Sequence, residues 1–329
     1  MMPETLQHIR AVRRAANAAC LFAVTSFALM WICNNLLPIA LIEWGVLDAS
    51  QAYWGLGRWG YELFSTLLYV LTLAPLALLG AALRRPFPFA RRANRRCDKR
   101  ILLPVLLAGL GICIASNVIV NLLHNFIYAF GIETMRDTVT HLSWADFFYT
   151  LFASAVLPAV LEEMVFRGYM LSLLRPYGQT AALLLTALLF GMMHGGIIQS
   201  PFAFILGLVF GFIVLRTGSI WPSVVLHFLN NTYATFSQYR ELFASTETGA
   251  AQFSIVMQMT LLLLAMAAIW FLRTRTDFFA PLPNGPWHTL SANRRAGLVF
   301  SAPMTLLALA LFFSYMVYVA VRTWHIVPM

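Results

Sequence analysis

Apolar stretches long enough to cross a bilayer recur along the whole chain, separated by short polar connections. Nine stand out, at roughly 17 to 42, 61 to 83, 101 to 130, 145 to 174, 179 to 198, 202 to 216, 219 to 238, 253 to 272 and 298 to 321. Runs of about 20 apolar residues predict membrane-spanning helices. The sixth is short, so eight spans is the neighbouring count. Its junction with the seventh, Arg216-Thr217-Gly218-Ser219, reads as a tight cytoplasmic turn or a re-entrant feature. The expected fold class is all-α, a polytopic transmembrane helix bundle of about eight to nine spans.

Composition agrees and excludes a water-soluble globule, because 60% of the 329 residues are hydrophobic, 11% are charged and mean hydropathy is +0.75. The formal net charge of +9 first suggests a nucleic-acid partner. The cations, however, cluster between apolar runs and lack the aromatic-interleaved basic face that such binding uses, so no nucleic-acid partner is expected. With the N-terminus in the cytoplasm, Arg10, Arg13, Arg14, the Arg-rich loop from Arg84 to Arg100, Arg175, Arg216, Arg273, Arg275, Arg294 and Arg295 all fall on the cytoplasmic side. Arg58, Arg136, Arg240 and Arg322 face outward, the asymmetry that the positive-inside rule requires. Cys20, Cys33, Cys97 and Cys113 show no C-x-x-C spacing and indicate neither a disulfide framework nor a zinc knuckle. The first apolar stretch is too long for a signal-peptide core and is read as an uncleaved span.

Ionisable groups at membrane depth cost about 2.5 to 3.5 kcal/mol on insertion scales, which makes them functional candidates. The fourth stretch carries Glu162, Glu163 and Arg167, the fifth His194, and the seventh His227 with Asn230 and Asn231. Residues four apart share a helix face. Glu163 is therefore expected to hold Arg167, leaving Glu162 on a neighbouring face as a free general base or acid. By the same spacing His227 and Asn231 stack and can present donors to a developing oxyanion, while His194 joins Glu162 in activating a water. Pro158, four residues before Glu162, predicts a kink. The bland alternative is a set of polar residues acting as interhelical glue. The same alternative is preferred for the stripe of Asn117, Asn121, His124 and Asn125, and Gly207-x-x-x-Gly211 reads as close helix packing.

In order and spacing, Glu162-Glu163-x-x-x-Arg167, Phe190-x-x-x-His194 and His227-x-x-x-Asn231 resemble the three motifs of the CAAX-processing and bacteriocin-processing (CPBP, or Abi) intramembrane endopeptidases, which include the type II CAAX prenyl endopeptidases. The resemblance covers roughly Trp144 to Gln238. It implies a four-span catalytic core over 144–238, flanked by an N-terminal region of three spans (1–143) and a C-terminal region of two (239–329). It also implies water activated by the first glutamate and the second-motif histidine, oxyanion donors at His227 and Asn231, and, from the family's many bacterial members, a bacterial inner membrane. The expected partners are the lipid bilayer and a membrane-associated or lipidated peptide. No cofactor is required on this reading. The alternative is a zinc enzyme, since Glu162, His194 and His227 would make a His2Glu set with an open position for water. Rivals from other classes are a transporter, which would show internal symmetry between its halves, and a non-catalytic peptide-binding or immunity protein. The chain's end, His325 to Met329, has no C-a-a-X box, so the chain itself is not expected to be prenylated.

Overall fold

The computed structural model describes residues 3–83, 99–129, 132–133, 142–196, 198–244, 246–282, 290–323 and 325–326. Most of the Arg-rich loop, and Arg136, lie outside them. The protein is an all-helical, multi-pass membrane bundle, apart from a two-residue antiparallel pairing of Ile132–Glu133 with His325–Ile326.

Among the described residues, seven helices are long and apolar enough to cross a membrane. They are α1 (Glu4–Glu43), α2 (Gly57–Ala82), α3 (Arg100–Ala129), α4 (Trp144–Tyr177), α6 (Gln199–Thr217), α8 (Glu247–Arg275) and α10 (Pro303–Val321). Two further expected spans are helices of a different character. The first, α5 (Gln179–Met193), has 15 residues, about 22 Å at the helical rise and so short of a hydrocarbon core about 30 Å thick. The second, α7 (Trp221–Gln238), is less apolar because it carries His227, Asn230 and Asn231. A short helix, α9 (Ala292–Phe300), precedes α10.

Glycine sets the closeness of α5 and α6. A Cβ on Gly207 would lie 2.9 Å from Ala187 Cα, and one on Gly191 2.7 Å from the Ser200 carbonyl, so the expected small-residue packing is present. Arg216 to Ser219 form a tight turn in which Gly218 adopts φ 69° and caps α6 through Gly218 N–H to Val214 O. The terminal spans meet each other: the Met304 N–H donates to Asn17 Oδ1 at 3.1 Å, and Cys20 Sγ lies 3.3 Å from Thr305 Oγ1.

Two apolar clusters fill the interior. One gathers Phe22, Leu76, Phe166, Phe190 and Phe312 from α1, α2, α4, α5 and α10, and the other Ile114, Phe210, Leu226 and Leu272 from α3, α6, α7 and α8. Large apolar side chains such as Leu63, Leu103, Ile119, Val256, Leu263 and Phe313 remain exposed. In water that surface would drive aggregation, whereas lipid solvates it.

Candidate active site

Pro158 has no N–H, so the Ser154 carbonyl, four residues earlier on α4, loses its ordinary helical donor. Asn231 of α7 supplies a replacement, its Nδ2 donating to Ser154 O at 2.9 Å. The winding of α4 widens to π-turns over Leu151–Val156 and Met164–Leu171, on either side of an α-helical Leu157–Glu163. Turns of that kind re-aim side chains and recur at functional sites. Here they flank the glutamate pair.

Both glutamates are buried and they engage different groups. Glu163 Oε1 accepts from Arg167 Nη1 at 2.8 Å and from His227 Nδ1 at 3.2 Å. Arg167 is 1% exposed, which only full pairing makes tolerable. Its Nη2 donates to the Gly207 carbonyl at 3.2 Å, and its guanidinium carbon lies 4.3 Å from the Phe190 ring centre and 5.3 Å from that of Phe210. The cation thus sits where the two apolar clusters meet, over aromatic faces that attract it.

Glu162 Oε1 accepts from the Tyr69 hydroxyl of α2 at 2.9 Å. Its other oxygen, Oε2, is buried without a hydrogen-bond partner and lies 3.9 Å from His227 Nε2. The His227 ring stacks on Phe210, with centroids 4.9 Å apart. An ionised carboxylate only accepts, so His227 Nδ1 carries the proton shared with Glu163. In the neutral ring, Nε2 is then a lone pair turned toward Glu162.

His194 caps the end of α5, with Nδ1 donating to the Phe190 carbonyl at 2.8 Å, which leaves Nε2 open as an acceptor. It makes no ion-pair contact within 4.0 Å of either glutamate. Its ring meets Phe190 at 4.9 Å between centroids, and Phe190 meets His227 at 6.1 Å. The next residue, Gly195, has φ 71°, and a Cβ there would run within 2.6 Å of Tyr315 Cε1 on α10. Asn231 also accepts from Asn230 Nδ2 at 3.0 Å, so its carboxamide is fixed at both ends.

Four of the six expected residues, Glu162, Glu163, Arg167 and His227, therefore share one buried cluster. His194 borders it through Phe190, and Asn231 lies a turn along α7 at the proline gap. Among the described residues, no group of three or more His, Cys, Asp or Glu side chains is placed to hold a metal ion. The Glu162, His194 and His227 set considered for zinc does not converge in this arrangement. Tyr69 and Ser154 escape sequence reasoning. Pro158 signals the orphaned Ser154 carbonyl, but nothing in the sequence pairs Tyr69 with Glu162.

Residues 144–233 match the family described as Rce1-like, type II CAAX prenyl endopeptidase. That is the family the motifs resemble. The matched stretch holds all six expected residues and leaves out α2 with Tyr69. No curated protein and no solved structure matches the chain.

Proposed function

We propose that this protein is an intramembrane endopeptidase that hydrolyses a peptide bond in a membrane-associated or lipidated, CAAX-like peptide through a glutamate-activated water. The carrying observation is the buried, unpartnered Oε2 of Glu162 facing His227 Nε2 across 3.9 Å. That separation is too long for a direct hydrogen bond. Two acceptors so placed are suited to a group with two donors, and a water molecule is one.

On this reading Glu162 takes one proton of the water while the water oxygen attacks the scissile carbonyl carbon. His227, its own N–H committed to Glu163, accepts the other hydrogen bond and orients the nucleophile. This role differs from the donor role the sequence suggests for it. His194, with Nε2 open, assists as a second base. Asn231 has two amide hydrogens, and the one not given to Ser154 is its donor for the oxyanion. The proton held by Glu162 then passes to the leaving nitrogen, the C–N bond breaks, and an amine and a carboxylic acid result, the acid releasing the water's remaining proton to solvent as it ionises. Arg167 balances Glu163 and keeps the pair fixed. The substrate must enter extended, because a helical backbone hides its carbonyls. The Rce1-like match supports a CAAX-type substrate class.

The test is cleavage of a quenched peptide library, with prenylated and signal-like members, by detergent-purified wild type, Glu162→Gln and His227→Ala, with and without a zinc chelator. We expect cleavage that survives chelation and disappears in both variants. Full cleavage by Glu162→Gln would refute the mechanism. Loss on chelation with recovery on adding zinc would transfer Glu162 to a metal-ligand role.

A further inference from the structure

The candidate base is held by a helix outside the matched segment. Along α2, Arg58, Glu62, Thr66 and Tyr69 recur at intervals of three or four residues, so they share one face. Each meets α4. Arg58 pairs with Asp146 of the first turn. The Tyr149 hydroxyl donates to the Glu62 carbonyl at 2.5 Å and is also bonded to the Thr66 hydroxyl. One turn deeper, Tyr69 donates to Glu162 Oε1 at 2.9 Å. A polar seam therefore fastens α2 to α4 from the helix start down to the glutamate.

The terminal torsion of a glutamate is broad, so the plane of its carboxylate, and with it the direction in which its second oxygen points, drifts unless a donor holds one oxygen. The Tyr69 hydroxyl does so here. By occupying Oε1 it leaves Oε2 as the oxygen that faces His227. Tyr69 is itself anchored through the seam, and its ring packs against the apolar cluster of α1, α2 and α4. Its O–H direction is thereby set by tertiary structure.

We propose that Tyr69 is the positioning residue for Glu162, which makes α2 part of the catalytic apparatus although it lies outside residues 144–233. This rests on the reading of Glu162 as the base. Tyr69→Phe keeps the ring and removes only the donor. In the full-length protein we expect kcat to fall about 10- to 100-fold, the size of effect that a misplaced catalytic group produces, with KM within about twofold and an unchanged melting temperature. 3-Fluorotyrosine at position 69, which retains the hydroxyl, should restore kcat. Its 19F resonance should move when Glu162 is replaced by Ala.

Wild-type kcat in Tyr69→Phe, with Glu162→Gln inactive, would overturn the positioning role and leave the proposed mechanism standing. Cleavage by Glu162→Gln would overturn that mechanism instead. A kcat loss accompanied by a lowered melting temperature would assign Tyr69 to structure alone. A 19F resonance indifferent to Glu162→Ala would overturn the contact, whether or not any library peptide is cut.

Discussion

Arg167 shows how much a single side chain can depend on its neighbours. It is one of the largest fully buried groups in the protein, and its charge is met by Glu163, the Gly207 carbonyl and the faces of Phe190 and Phe210. Removing one partner of a buried pair strands the other, at a cost of about 3 to 5 kcal/mol. Arg167→Met should therefore lower the melting temperature sharply in detergent, because Glu163 is left uncompensated. The double variant Arg167→Met with Glu163→Gln removes both charges and should recover much of that loss. Equal instability of the single and double variants would show that the pair contributes through shape rather than charge.

At the scale of the elements, helix periodicity reveals pairs within a helix and is silent about pairs between helices. The Glu163 to Arg167 contact follows from four-residue spacing alone. The Tyr69 to Glu162 and Asn231 to Ser154 bonds span 93 and 77 positions and depend on how α2 and α7 pack on α4. Likewise, His227 and Asn231 do share a face of α7, but tertiary partners turn the imidazole to the glutamates and the carboxamide to the proline gap. Span-counting by apolar runs located every long helix among the described residues. It could not separate the crossing helices from α5, whose length is fixed by the turn at Gly195. The glycines between α5 and α6 give the sharpest element-scale prediction. Gly207→Val places bulk against the Ala187 backbone and pushes α6 away from the carbonyl contact with Arg167. A destabilisation of about 1 to 3 kcal/mol, typical of overpacking, is expected in thermal unfolding. Gly297→Ala, where a Cβ would meet nothing within 4 Å, should change stability by less than about 0.5 kcal/mol. A similar loss in both variants would mean that generic helix effects, rather than the α5 to α6 approach, set the response.

For the molecule as a whole, the fold leaves orientation open, and the distribution of charge supplies an expectation that can be tested. Successive membrane-crossing helices alternate in direction, so a single assignment for α1 fixes the connections from α1 to α4. Cytoplasmic placement of the N-terminus puts the connection between α2 and α3, which contains six arginines, Lys99 and Asp98, on the same side as Arg10, Arg13, Arg14 and Arg175. The opposite placement would require all of these to be translocated, against the bias that retains Arg and Lys in the cytoplasm. The expectation can be read in intact bacterial cells expressing a variant without native cysteines. A membrane-impermeant maleimide should label Ala49→Cys, in the exposed connection between α1 and α2, from outside. Ala93→Cys, in the basic connection, should react only after the membrane is permeabilised. The reverse pattern would invert the protein and present the glutamate cluster to substrates from the other face. Labelling of both positions in intact cells would mean that α2 does not cross. In that case the Tyr69 seam would have to form without a transmembrane α2.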